Sequence, residues 1–152
     1  MSNSTHASGA DVSDDVIRRV LRESEVWAIV GLGDNPRRPA YGVARFLQAH
    51  GKRIVPVHPT AATVHGERGY ASLADIPFEV DVADVFRRSE DAGSVADAAL
   101  ARDDITIVWF QLGVIDHAAA QRVRDAGRTM VMDHCPAIEW PRLLGSPTLG
   151  GE

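Results

Sequence analysis

Residues 28–47 read AIVGLGDNPRRPAYGVARFL, and the parsing of this stretch decides the fold. It begins as the end of an apolar strand, passes through Gly31 and Gly33, and resumes as an amphipathic helix. A G-x-G between a strand and a helix opens the phosphate-binding turn of doubly wound α/β proteins. The third glycine of that pattern belongs at position 36, where Pro36 stands; Arg37, Arg38 and Pro39 follow before the helix restarts. Gly31 permits a tight turn, and Gly33 lets the backbone approach a diphosphate drawn to the free N–H groups of the helix start. Glycine also simply ends strands, so the G-x-G alone is weak evidence. The added loop shifts the balance: two prolines stiffen it, and two guanidiniums can fork onto phosphate oxygens. A solvated loop accounts equally well for either arginine taken singly.

Working outward, strand and helix alternate. Residues 11–23 carry a helical apolar stripe entered at Asp11 or Ser13. VWAIV (26–30) is a continuous apolar run, as a strand buried on both faces is. Pro39 suits the first turn of a helix that Gly51 closes. RIVPV (53–57) is a second strand, and residues 66–77 are turn-rich, with Ser72 and Asp75 spaced as a capping box around one helical turn. VDVADVF (80–86) gives a third strand although Asp81 and Asp84 interrupt it. A helix over 89–102, a strand over 105–110, a helix over 116–126 closed by Gly127, and a strand over 129–132 complete the series. This order predicts an α/β, doubly wound, Rossmann-like fold: a mostly parallel sheet of five to six strands with helices on both faces. One domain over 11–143 is expected, with disordered tails at 1–10 and 144–152.

The chain has 152 residues, 45% of them hydrophobic and 24% charged, ordinary globular values. Its formal net charge of −5 offers no global attraction to nucleic acid or an anionic membrane, so a phosphate site must be local. Fifteen of the sixteen basic residues are arginine, Lys52 being the exception. Cys135 is the single cysteine, which excludes an intramolecular disulfide and makes a reducing cytoplasm the expected setting. No apolar run approaches the ~18 residues of a membrane span, and residues 1–10 lack the basic start and apolar stretch of a signal peptide.

In doubly wound sheets, ligands bind beyond the carboxyl ends of the strands. The exits to interrogate are therefore GLGDNPRR (31–38), VHPT (57–60), FRRSE (86–90), QLGV (111–114) and DHCP (133–136). An NAD site calls for Asp or Glu at the second strand's end to bind the ribose hydroxyls. That exit reads Val57-His58-Pro59-Thr60, so plain NAD is disfavoured, while NADP or any 3′-phosphorylated adenosine remains open. Arg87 and Arg88 could reach phosphate from across the crevice or pair with Glu90 and Asp91, and the surface pairing is favoured for Arg88. Gln111-Leu112-Gly113 combines an amide with a glycine that permits close approach. His134 and Cys135, adjacent in extended chain, point apart and form no catalytic pair. The histidines show no metal-ligand spacing, and no metal site is expected. Trp27 and Trp109 read as core, and Trp140 as cover for a helix or the sheet edge.

Taken together, residues 28–47, RIVPVHP, YASLADIP, VDVADVFRR, VWFQLGV and VMDHCPAIE resemble, in order and spacing, the small bacterial CoA-binding proteins with a Rossmann-like domain. These are similar to the CoA-binding domain of the succinyl-CoA synthetase α subunit and of ADP-forming acyl-CoA synthetases. The resemblance spans about residues 15–143 and implies coenzyme A as ligand. It implies that Gly31, Leu32, Gly33, Asp34, Asn35 and Arg37 hold the diphosphate, with Tyr41 and Gly42 in the following turn. Val57, His58 and Pro59 would line the adenosine side, Phe86 and Arg87 would wall the crevice, and Gln111, Leu112 and Gly113 would border the pantetheine. The family commonly has Asn where His58 stands, Lys where Thr60 stands and Ser where Ala40 stands. The missing lysine removes a partner of the 3′-phosphate, which a protonated His58 would replace in part.

These readings lead to a cytoplasmic module that binds CoA or an acyl-CoA as a carrier, sensor or regulator, with no catalytic residues of its own. The chain has no room for the phosphohistidine and ATP-grasp units that acyl-CoA ligases need, although a larger synthetase is a conceivable partner. The alternative is an NADP-dependent oxidoreductase or a small CoA-dependent transferase, with Tyr41, His58 and His134 as proton donors. A mixed disulfide between Cys135 and the CoA thiol is a further expectation.

Overall fold

The computed structural model describes residues 12–145; the tails expected at 1–10 and beyond 145 lie outside the described residues. The elements run α1 (Asp14–Glu23), β1 (Val26–Val30), α2 (Pro39–Ala49), β2 (Arg53–Val57), a 3-10 turn (Leu73–Asp75), β3 (Val82–Val85), α3 (Ser89–Leu100), β4 (Ile107–Phe110), α4 (His117–Asp125), β5 (Thr129–Met132) and α5 (Pro136–Leu144). The five strands form one parallel sheet in the order β2-β1-β3-β4-β5. The order reverses between β1 and β3, and there the chains leaving adjacent strands depart to opposite faces and open a crevice. The fold is the α/β Rossmann-like one that the alternation predicts, with five strands.

Strand alternation sorts the apolar residues into two cores. Trp27, Ile29, Val82, Trp109 and Val131 face α1, α2 and α5 through Ile17, Leu21, Ala44 and Leu47. Ala28, Val30, Val85, Val108 and Phe110 face α3 and α4, whose buried residues are Ala92, Ala96, Ala99, Ala119, Ala120 and Val123. A helix that presents alanine lies close to the sheet, and Gly93 of α3 extends this toward α4: a Cβ there would stand 3.1 Å from Asp116 Oδ2.

The helix boundaries follow local chemistry. Of the two starts considered for α1, Ser13 is the cap: its hydroxyl accepts from the Val16 N–H. Asp116 caps α4 by accepting from Ala119 N–H. The turn at Leu73–Asp75 forms where expected, but Ser72 makes no side-chain cap bond, so the capping box is not realised. Instead the turn is held from outside. Arg102 donates to the carbonyls of Leu73, Ile76 and Phe78 and pairs with Asp104 at 2.8 Å.

Two expectations need correcting. The third strand is only Val82–Val85, because Asp81 turns outward: its Oδ2 accepts from the Glu25 and Val26 N–H groups at the start of β1. Residues 136–144 form a helix absent from the sequence reading, and α5 runs one residue past the expected domain end at 143. Pro136 at its first turn is favourable, but Pro141 lies inside it and removes a backbone donor. Packing outweighs that loss. Trp140 lies against Phe46 of α2 and His50 at its carboxyl end, and Arg142 pairs with Asp14 of α1 at 2.8 Å.

Candidate functional site

The carboxyl end of β1 is tied to those of β2 and β3. Gly31 N–H donates to Val57 O and Phe86 N–H to Val30 O, each at 2.8 Å. Gly31 has φ +106°, and a Cβ there would meet Phe86 O at 2.5 Å. No other residue type fits this position without moving β3's exit. Gly33 is the second close approach: a Cβ would stand 3.1 Å from Cδ2 of the His58 ring. Between them, Leu32 is fully buried and belongs to the core.

The loop then folds on itself. Asn35 Oδ1 accepts from Arg37 N–H and Asn35 O from Arg38 N–H. Asp34, Asn35 and Arg37 are exposed, and α2 begins at Pro39 with Arg38 as its N-cap residue. Among the described helices, α2 alone has neither a side-chain cap nor an acidic residue in its first turn. The partial positive charge of its free N–H groups is therefore offset by no cap or carboxylate of its own.

Three cavities follow one another along this edge through shared walls. The first, about 230 Å³, lies over Val57, Ala71, Leu73 and Val95, with Arg87 at its border. The second, about 240 Å³, also reaches Arg87 and is lined by His58, Pro59, Gly31, Arg38 and Phe86. The third, about 420 Å³, shares Gly31, Arg38 and Phe86 and adds Pro39, Ala40, Gln111, Leu112 and Val114. The outer two are walled mostly by hydrocarbon, whereas the middle one gathers two guanidiniums and an imidazole. Two further hollows lie at the amino ends of the strands, away from all of these groups.

The side chains of the middle chamber are oriented by their neighbours. His58 Nδ1 accepts from the Thr60 N–H at 3.2 Å and lies 3.0 Å from the Thr60 hydroxyl, which leaves Nε2 to carry the proton of the neutral ring. Arg87 is 4.0 Å from Asp91. Arg88 pairs with Asp91 and Glu90 at 2.9 and 3.3 Å and lines no chamber, as its surface-pair reading expects. Gln111 is buried with Oε1 unpartnered. On the neighbouring strand and the same sheet face, Asp84 is wholly buried between Ile29 and Trp109, with neither carboxylate oxygen partnered. Desolvation pushes its carboxyl well above the ordinary range, favouring the neutral form.

Of the residues singled out in the sequence, Gly31, Val57, His58, Pro59, Phe86, Arg87, Gln111 and Leu112 line these chambers. Gly33 borders them through His58, and Gly113 (φ +87°) is held behind its loop by Asp133 Oδ1 at 2.7 Å. Tyr41 turns away to lie against His65, the two rings inclined at 55°, and Gly42 is exposed with open space where a Cβ would stand. Pro39, Ala40 and Val114 were missed, as were the walls supplied by Ala71, Leu73 and Val95, and Arg38, read with Arg37 as a guanidinium for phosphate, was left out of the residues assigned to the diphosphate. For Arg38 the signal was present: the residue before a proline at a helix start is the N-cap. Cys135 is buried among core residues and lines no chamber, contrary to the mixed-disulfide expectation. His134 is engaged with Glu139 at 3.4 Å, outside the chambers. Among the described residues, no group of three or more His, Cys, Asp or Glu could hold a metal ion, and no helix is long and apolar enough to cross a membrane.

Comparison with known proteins adds a family. A family model described as "CoA binding domain" matches residues 25–141. The uncharacterized protein YneT of Bacillus subtilis is 37% identical over 119 residues, covering 78% of this chain and 87% of its own. A hypothetical protein from Pyrococcus horikoshii superposes with TM-score 0.83 at 31% identity, over 88% of this chain and 94% of that one. A dinucleotide-forming acetyl-coenzyme A synthetase from Ca. Korarchaeum cryptofilum shares the fold with TM-score 0.62 at 21% identity, over 75% of this chain and 27% of its own.

Proposed function

This chain belongs to the CoA-binding domain family, and from that premise we propose that it binds coenzyme A or an acyl-CoA at the carboxyl edge of its sheet, as a carrier, sensor or regulatory module without catalysis of its own. The observation that carries this reading is the order of the three chambers: hydrocarbon, cationic, hydrocarbon. CoA has the same order, with a base at one end, phosphates next, and a long arm ending in a thiol. In this reading the adenine lies over Val57 and Leu73. Arg38, Arg87 and His58 take the phosphates beside the uncapped end of α2, where free N–H groups attract anions. Gly31 and Gly33 let the backbone come close, and the arm runs to Gln111 and Leu112.

An NADP-dependent oxidoreductase would use the same base and phosphate chambers. Of its three candidate proton donors, Tyr41 and His134 line none of the chambers, and His58 stands in the chamber of the phosphates rather than beside a substrate. Parallel calorimetric titration with CoA, dephospho-CoA, NAD and NADP separates the readings. Micromolar binding of CoA with NAD silent is the expected outcome, and NADP binding without CoA would overturn the proposal. The dephospho-CoA titration measures what Thr60, in place of a lysine, leaves for the 3′-phosphate.

A further inference from the structure

We propose that the 420 Å³ chamber beside Gln111 receives the acyl group of an acyl-CoA, and that this group is short, aliphatic and uncharged. The inference rests on the proposed ligand and concerns which thioester it is. Pro39, Ala40, Phe86, Leu112 and Val114 present hydrocarbon to this space. Their side chains carry no polar group for the amides and hydroxyl of the pantetheine arm, but they reward methylenes that leave water. The polar groups are Gln111, suited to the last amide of the arm or the thioester, and Arg38, which faces the phosphate chamber as well.

Two further features agree with an apolar terminus. Leu112 is 56% exposed, the most exposed large hydrophobic residue among those described, and it stands on the wall of this chamber. Among the described residues nothing covers it; an acyl chain lying against it would. A dicarboxylic acyl group would instead carry a carboxylate between hydrocarbon walls, with Arg38 as the one cationic side chain there, and both Arg38 and the free N–H groups of α2 would already be engaged by the phosphates. An unpaired buried carboxylate is strongly disfavoured. The chamber must also hold the end of the arm, which restricts the chain to a few carbons.

The test is calorimetric titration of the full chain with CoA, acetyl-CoA, butyryl-CoA and succinyl-CoA, repeated on Leu112→Ser. Each methylene fully buried multiplies affinity about fourfold, so butyryl-CoA should bind about fifteenfold more tightly than acetyl-CoA. Succinyl-CoA should bind more weakly than butyryl-CoA, and Leu112→Ser should reduce the butyryl-to-acetyl ratio severalfold. Equal, micromolar affinity for all four ligands would overturn the acyl assignment and leave CoA binding standing. A preference for succinyl-CoA would also overturn it, by making Arg38 a carboxylate partner. Failure of all four to bind would remove the CoA reading and this inference together.

Discussion

Gly31 sits directly beneath Phe86: the Cβ it lacks would stand 2.5 Å from the Phe86 carbonyl oxygen, at a φ of +106°. This contact joins the exits of β1 and β3 at the point where strand order reverses, and both residues line the cationic chamber. Gly31→Ala must therefore push two strand exits apart as well as strain its own backbone, a cost of roughly 1–3 kcal/mol for the strain alone. Urea unfolding should show at least that loss. CoA titration should show binding weakened more than tenfold, because the chamber is built from the two segments being separated.

Arg37 and Arg38 are adjacent and chemically identical, yet their positions differ. Arg38 borders two chambers, while Arg37 borders none. A guanidinium on phosphate makes affinity salt-dependent. Arg38→Ala should raise the Kd for CoA about tenfold and flatten its dependence on salt. Arg37→Ala should change neither. Titration at two ionic strengths distinguishes the variants, and the reverse result would move the phosphate site outward along the loop.

Two aspartates shift in opposite directions and give stability opposite pH dependences. Burial holds Asp84 well above its ordinary 3.8, so its contribution is fully present below that value and is lost as pH rises toward the folded pKa. Over that interval the native protein should lose up to about 1.4 kcal/mol per pH unit relative to Asp84→Asn, which stays neutral in both states. Hydrogen bonding to Arg102 lowers Asp104 to about 2, so its contribution is present above 3.8 and is lost as pH falls toward 2. Asp104→Asn should cost about 2 kcal/mol at neutral pH and nearly nothing at pH 2. Urea midpoints of the three proteins from pH 2 to pH 8 test both signs.

The local signals read well where chemistry is local. The strands at 26–30, 53–57 and 129–132 match their apolar runs, and Ser13, Asp116 and Gly51 end helices as their types dictate. The helix at Pro136–Leu144 was not legible. Its internal proline argues against it, and it exists because Trp140 and Arg142 find partners on α2 and α1, far away in sequence.

The sequence by itself determined the alternation of strand and helix, hence a parallel doubly wound sheet, and it located the polar exits where a phosphate ligand can bind. Apolar periodicity, caps and glycines act within a few residues, so they can be read from a string. Which side chains meet was decided only by the tertiary structure. Placing β3 beside β1 set Phe86 over Gly31, the loop turn made by Asn35 put Arg38 rather than Arg37 at the cationic chamber, and packing against α2 carried Trp140 into a helix. Those are contacts between segments distant in sequence, where one rotation of a loop changes which of two neighbouring arginines faces the crevice.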